Sequence, residues 1–518
     1  MQPRTILFGL IAIMAIGCAA PGDEASDDVA AADEALFFHP SRSERAAIER
    51  GERVWFDNTY GGERFFAFLR VHPDPTKRID VGFQNVLETP RNLRHQTWGT
   101  INDPDCRANP AGGADLCDDP ADTGVVGIRR VTYPDGSELF GVACAACHAG
   151  IDPTDPPTDV NEPTWDNIHP TIGNQNLQVG RIFAANLAPT DPRGLLFASW
   201  PAGTVDTTLL FSDNISNTGT ITAFWNHQFR PTFEVGRDEE QLRNGQGGED
   251  DVGGDLAALR VYTNIGVCFQ ECVAPAVATG RPISIEECRA TCPEFPPQSD
   301  LDDLTTFLGS VTSPRLRDRW PNVRDYVRGR RVFRRECASC HSDRGLQRFA
   351  LTNDEVNPIA DDPANATNTC RALTTNWEEG RLWAEFSSDV YKDRVTAGDR
   401  GYRTMPLAGI WSTAPFLHNN SIGPAEVPAT ATPSERAAAF EAAMYELLST
   451  DRTPVVNVLP FDLGPGIPAG TPLAYVFSRD PATGAVLCDD VVENRGHYYG
   501  ADLSDRDKRA LIEWLRFQ

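Results

Sequence analysis

Two stretches, "CAACH" at 144–148 and "CASCH" at 337–341, place two cysteines two residues apart with a histidine directly behind them. Three chemistries use cysteines at such spacing. A structural zinc site takes four Cys or His ligands from neighbouring knuckles, but these units stand 193 residues apart and neither has a second knuckle nearby. A redox CxxC belongs before a helix in a βαβ unit and has no need of a following histidine. Covalent haem uses every residue: the cysteines form thioethers with the vinyl groups, and the adjacent histidine becomes the proximal iron ligand. The spacing predicts two covalently bound c-type haems, one on Cys144, Cys147 and His148, the other on Cys337, Cys340 and His341.

These residues need elements to present them. Gly329, Phe333 and Cys337 recur every fourth residue, which predicts a helix running into the second haem turn with a small and an aromatic residue on one face. The last stretch, "LSDRDKRALIEWLRFQ", predicts a partner helix with Ser504 as N-cap and Leu511, Trp514 and Leu515 as its apolar face. An internal echo predicts a duplicated plan: Phe224 follows His148 by 76 residues in "AFWNHQF", and Phe416 follows His341 by 75 in "PFLHNN". For the sixth position of the second iron, Met405 before Pro406 suits the way many small cytochromes ligate, and His418 suits a hydrogen-bonding role near the haem edge. His39, His72 and His95 carry no ligand spacing, and "YGGERFFAFLRVHPD" reads as an aromatic-rich covering helix.

At 518 residues the chain exceeds one ordinary core. With 42 Gly and 39 Pro, long ordered loops are expected. The net charge of −26 argues against nucleic acid and suits a salt-sensitive meeting with a basic partner such as a small cytochrome; plain solubility is the alternative. The apolar run at 5–17 is too short to span a bilayer and reads as an export signal ending at a lipobox-like "AIGC", with Cys18 lipidated. Of thirteen cysteines, eight remain besides Cys18 and the haem pairs. The spacing pairs Cys106 with Cys117, Cys268 with Cys292, Cys272 with Cys288 as a stapled helical hairpin, and Cys370 with Cys488. No P-loop, dinucleotide fingerprint or Ser-His-Asp arrangement is present, and no loop has calcium-site spacing, so calcium is not indicated.

"MPLAGIWSTAPFLHNNSI" at 405–422 resembles the run after the second haem in the bacterial di-haem cytochrome c peroxidase superfamily, closest to its rubber-oxygenase-like branch. Phe416 stands where Tyr is usual, and Asn420 where Gly is. "FWNHQF" resembles the Phe-Trp near the first haem, and "ENRGHYYGADLS" resembles the Gly-His-x-Tyr-Gly run that ends the branch. The resemblance implies His497 as sixth ligand of the second haem, giving a bis-His, low-potential, electron-transferring site. It implies a reactive first haem, with Phe224 and Trp225 lining its distal pocket and His169 where peroxidases carry a removable ligand. His227 is a remaining candidate proton carrier.

The expected fold is mainly α: two cytochrome c-like haem domains with long loops and a disulfide-stapled helical hairpin. The expected organisation is a lipoprotein signal at 1–17, an acidic tether at 18–45, a covering region at 46–135, and haem domains at 136–310 and 311–518. The expected function is haem-based electron transfer by a lipid-anchored protein of the periplasm or cell surface on the bacterial outer membrane. It is either a peroxidase- or oxygenase-like oxidoreductase with an open first haem, or an electron carrier with both irons six-coordinate. The expected partner is a small redox protein or a small-molecule electron donor or acceptor.

Overall fold

The computed structural model describes residues 40–72, 75, 78–205, 218–225, 290–292, 297–341, 350–352, 401–403, 407–424, 426–456, 458, 462, 468–470 and 492–518. The expected signal peptide, Cys18, His39, His227, Met405, Cys370, Cys488 and most of the expected hairpin at 268–292 lie outside them. Contacts divide the chain into residues 1–46 and 47–518. In the first unit, Ser41 and Glu44 form a reciprocal capping box, with Ser41 N–H donating to the Glu44 carboxylate at 2.7 Å and Glu44 N–H to the Ser41 hydroxyl at 3.2 Å. This box starts helix α1, Arg42–Asp57.

In the second unit, α2 (Gly62–Arg70), α3 (Phe83–Glu88) and α4 (Arg91–Trp98) lead to an antiparallel hairpin, β1 (Ile128–Thr132) and β2 (Glu138–Val142). Pro134-Asp135-Gly136 turns the hairpin, Gly136 taking the left-handed φ of 83° that such a corner requires. The short helix α5 (Ala145–His148) follows directly. Then come β3 (Gly150–Ile151) paired with β4 (Ile168–His169), α6 (Val179–Ala184), α7 (Pro192–Ala198), and β5 (Thr204–Val205) paired with β6 (Gly219–Thr220). After α8 (Gln298–Ser310) come α9 (Val323–Glu336), the strand pair β7 (Ala350–Thr352) and β8 (Gly401–Arg403), α10 (Pro433–Leu447) and α11 (Asp505–Leu515).

Two apolar clusters stand out among the described residues. The first gathers Phe65, Leu69, Phe83, Val86, Leu87, Ile182, Phe183, Phe197 and Trp200 from α2, α3, α6 and α7. The second gathers Val332, Phe333, Trp411, Phe416, Phe440, Met444, Leu511 and Trp514 from α9 to α11 and the segment before α10. The covering helix expected over "YGGERFFAFLRVHPD" is α2.

The second half has the helix pair that the sequence predicts. Asn322 caps α9 and Ser504 caps α11, each through a side-chain oxygen accepting a backbone N–H. The two helices cross where Gly329 lies: a Cβ built there would stand 1.9 Å from the Ala510 carbonyl oxygen. Phe333 and Trp514 meet beside it, ring centroids 4.2 Å apart. Arg328–Asp507 (2.7 Å) and Arg319–Glu513 (2.8 Å) flank the crossing. The first half reaches its CxxCH differently, through the β1–β2 hairpin rather than a long helix, so the likeness of the two halves does not extend to the lead-in element. Cys106 and Cys117 are bridged as the spacing predicts. Cys292 is also in a disulfide, with its partner outside the described residues.

Candidate haem sites

At the first motif, the turn of α5 brings Cys144, Cys147 and His148 to one side: the His148 N–H donates to the Cys144 carbonyl at 3.0 Å. The loop that follows β4 locks this turn from outside, Gly173 N–H donating to the His148 carbonyl and Asn174 N–H to the Cys147 carbonyl, each at 2.8 Å. Gly127 packs against it so closely that a Cβ would stand 2.1 Å from the Ala146 nitrogen. The His148 Nδ1 lies 2.9 Å from the Thr222 carbonyl oxygen. That bond makes Nδ1 the protonated nitrogen and leaves Nε2 with its lone pair for a metal. Burial pushes the His148 pKa down to about 4, so the ring is neutral at pH 7, as ligation demands.

Rings fix the orientation of this imidazole. Phe224 meets it edge-on with centroids 4.6 Å apart, and Trp55 of α1 lies at 5.9 Å, held by its Nε1–H donating to the Pro170 carbonyl at 2.8 Å. A ring across a haem from His148 would stand well over 6 Å away: about 3 Å from imidazole centroid to iron, and more than 3 Å beyond. Phe224 therefore stands beside His148, not opposite it as the distal-wall expectation has it. Trp225 is fully buried and donates from Nε1 to the Ala408 carbonyl at 2.9 Å, joining the first half to the "LAGIW" segment of the second. His169 is buried against Trp225 at 5.4 Å. Its Nδ1 accepts the Thr171 N–H at 3.2 Å, and the ring bonds to the Thr312 backbone. Both of its polar contacts are thus made within the protein.

At the second motif the last turn of α9 continues into the attachment turn, Cys337 N–H donating to the Phe333 carbonyl and His341 N–H to the Cys337 carbonyl. None of the four CxxCH thiols is in a disulfide, in contrast to Cys106, Cys117 and Cys292. Burial, ahead of the nearby Glu336, pushes the Cys337 thiol up to about 12, the opposite of what a redox-active CxxC needs.

His341 faces His497, with ring centroids 6.5 Å apart and planes at 66°. Two metal–nitrogen bonds of about 2 Å, plus about 1.2 Å from each nitrogen to its ring centre, give roughly 6.4 Å. The residues present fit one iron held between two imidazoles. His497 has its pKa lowered to about 4, first by burial and then by the neighbouring Arg452, so this ring too is neutral. It adopts a left-handed φ of 53°, a conformation a non-glycine residue keeps only when its surroundings impose it. Arg452 imposes it: buried, it donates to the carbonyls of Asn494 (2.9 Å), Gly496 (2.8 Å) and His497 (3.4 Å) and lies over the Tyr498 ring. His418 is buried where the halves meet, its carbonyl accepting the Thr220 N–H at 2.6 Å.

Sequence reasoning missed three positioning residues. Trp55 had a signal, an aromatic pair in the covering region, and Thr222 had one in lying two residues before Phe224. Arg452 had none.

The "LAGIWSTAPFLHNNSI" segment joins the two halves. Its Asn420 amide donates to Gln175 Oε1 at 2.7 Å and to the Ala202 carbonyl at 3.1 Å. No curated protein matches the chain. The family described as RoxA-like, cytochrome c-like matches residues 401–441, from β8 through this segment into α10. A cytochrome c-like domain implies a covalently bound c-type haem and haem-based electron transfer or oxidoreductase chemistry, and the matched segment begins 60 residues after His341.

Proposed function

We propose that the protein is a di-haem c-type cytochrome whose second haem is a bis-His electron-transfer centre and whose first haem is the reactive one. The observation that carries this is the 6.5 Å between the His341 and His497 rings. Bound there, haem supplies reversible one-electron chemistry. The chain's own part is to hold two neutral imidazoles apart by the width of one metal ion and to close the sixth position to outside ligands. A second imidazole, in place of Met405, favours a low potential.

The assignment of a reactive first haem rests on the asymmetry of the two sites. His148 has Thr222 and Phe224 fixing it from its own side, and the nearby His169 is committed to Thr171 and Thr312. Peroxide or dioxygen is the substrate class such a site takes, within an exported, lipid-anchored protein. The pure carrier, with both irons six-coordinate, is the second reading; among the described residues His169 could serve it only by giving up a hydrogen bond it now makes.

Electron paramagnetic resonance of the oxidised protein tests the proposal. His497→Ala should convert a low-spin signal to high-spin and let cyanide or carbon monoxide bind the second haem. If Met405→Ala does this and His497→Ala does not, the bis-His assignment is wrong. Two low-spin signals in the parent protein, with no ligand binding after reduction, would replace the reactive site by the carrier.

A further inference from the structure

The chain as a whole is strongly acidic, yet residues 315–335 hold nine arginines against two aspartates. This concentration lies on and just before α9, the helix that delivers the second haem motif. The inner face of α9 is spent: Gly329, Val332 and Phe333 are buried against α11. The outer face carries Arg324, Val327, Arg331, Arg334 and Arg335, all exposed and spaced by three or four residues, so they form one stripe along the helix. Trp320 and Val323 extend the stripe at 92% and 72% exposure. Arg328 and Arg319 are committed to Asp507 and Glu513, whereas Arg324 and Arg331 make no ion pair among the described residues. The stripe ends two residues before Cys337.

We propose that this face of α9 is the docking surface for an acidic redox protein that exchanges electrons at the second haem; the proposal rests on the electron-transfer reading above. Charge decides the partner. An acidic protein is repelled by the net charge of the chain and attracted by this stripe, so the field that brings it in also orients it toward the Cys337 end of α9. A basic partner is drawn to the acidic bulk and turned away from this face. The exposed indole among arginines supplies what energetically dominant interface residues have in common, a large apolar ring within a charged surround. A lipid surface fits less well: interfacial helices sink a continuous apolar face into the headgroups, and α9 has given that face to α11.

The test uses the full-length holoprotein and stopped-flow reduction of its second haem by a reduced, acidic flavodoxin. Reduced lumiflavin serves as a small donor insensitive to docking. The parent rate with flavodoxin should fall about tenfold or more between about 20 and 200 mM salt. Arg324→Glu with Arg331→Glu should lower the low-salt rate by about tenfold, with little effect at high salt or with lumiflavin. The double Gln variant should show an intermediate loss, and Trp320→Ala should slow the reaction without changing its salt dependence.

A parent rate that rises with salt, or a double Glu variant that reacts with flavodoxin as the parent does, overturns the proposal. So does binding of the parent, but not of the double Glu variant, to phosphatidylglycerol vesicles while the flavodoxin rates agree. Failure of the electron-transfer reading is seen separately, as a second haem that reduced lumiflavin does not reduce.

Discussion

Replacing Gly329 by Ala should weaken the packing of α9 on α11, although alanine is the better helix former. On propensity alone the change stabilises an interior helical position by about 1 kcal/mol. The new methyl group, however, would lie 1.9 Å from the Ala510 carbonyl oxygen and 2.8 Å from the Trp514 Cβ. Neither is the end of a flexible side chain, so α9 and α11 must move apart by more than an ångström to reach ordinary contact. That movement opens the Phe333–Trp514 contact and strains the pairs that flank it. Overpacking of this kind costs about 1–3 kcal/mol, and a clash with backbone belongs at the upper end. The expected net destabilisation is about 2 kcal/mol. Gly309, near the end of α8, has nothing within 4 Å of its Cβ position, so Gly309→Ala should gain about 0.5–1 kcal/mol. Denaturant titration of the two holoproteins, followed at the Soret band of the second haem, compares them directly. If Gly329→Ala is as stable as Gly309→Ala, the close crossing of α9 and α11 is not what holds this domain together.

Asp103 is buried, and its pKa is raised to about 6, chiefly by that burial. A carboxyl with a raised folded pKa binds its proton more tightly in the native state, so stability is lost as pH rises from about 4 through 6. Asp103→Asn should therefore leave stability at pH 4 unchanged and raise it by about 2–3 kcal/mol at pH 7, measured by denaturant titration at both pH values. Asp115 sits in the loop closed by Cys106 and Cys117 and faces two buried guanidinium groups, Arg91 at 2.8 Å and Arg94 at 2.9 Å. Arg91 keeps Glu162 at 3.3 Å, so Asp115→Ala should cost about 3–5 kcal/mol chiefly by leaving the buried Arg94 without its carboxylate, seen as a lowered denaturation midpoint; a loss below about 1 kcal/mol would mean Arg94 is balanced elsewhere.

What the sequence revealed follows the range over which each signal acts. The attachment cysteines and histidines are contiguous, so their chemistry is written in five residues. The α9–α11 pair was legible because Gly329, Phe333, Trp514 and the Ser504 cap each act within a turn or two of helix. The Cys106–Cys117 bridge closes a loop short enough to be read from spacing. The hairpin before the first motif was less legible because "IRRVT" and "ELFGV" around Pro-Asp-Gly are short and carry charged and small residues on both faces. Phe224 and Trp225 were recognisable as an aromatic pair, but adjacent aromatics do not declare their partners: Phe224 meets His148 and Trp225 reaches the Ala408 carbonyl. The arginine stripe escaped notice because net charge averages over the chain.

Arg452 carries a consequence beyond the loop it shapes. Its guanidinium gathers six backbone carbonyls, three from the end of α10 and the turn after it and three from the peptide bearing His497, so that peptide is folded about a buried cation. The field of that cation reaches the ring, since it discourages a proton there. Were an iron held between His341 and His497, as proposed above, the same field would act on it and would disfavour the oxidised ion, which carries one more positive charge than the reduced ion. Two imidazoles draw the reduction potential down while the arginine draws it up. On the proposed reading, the side chain that sets the geometry of His497 would therefore also be a term in the driving force for an electron reaching a haem held there.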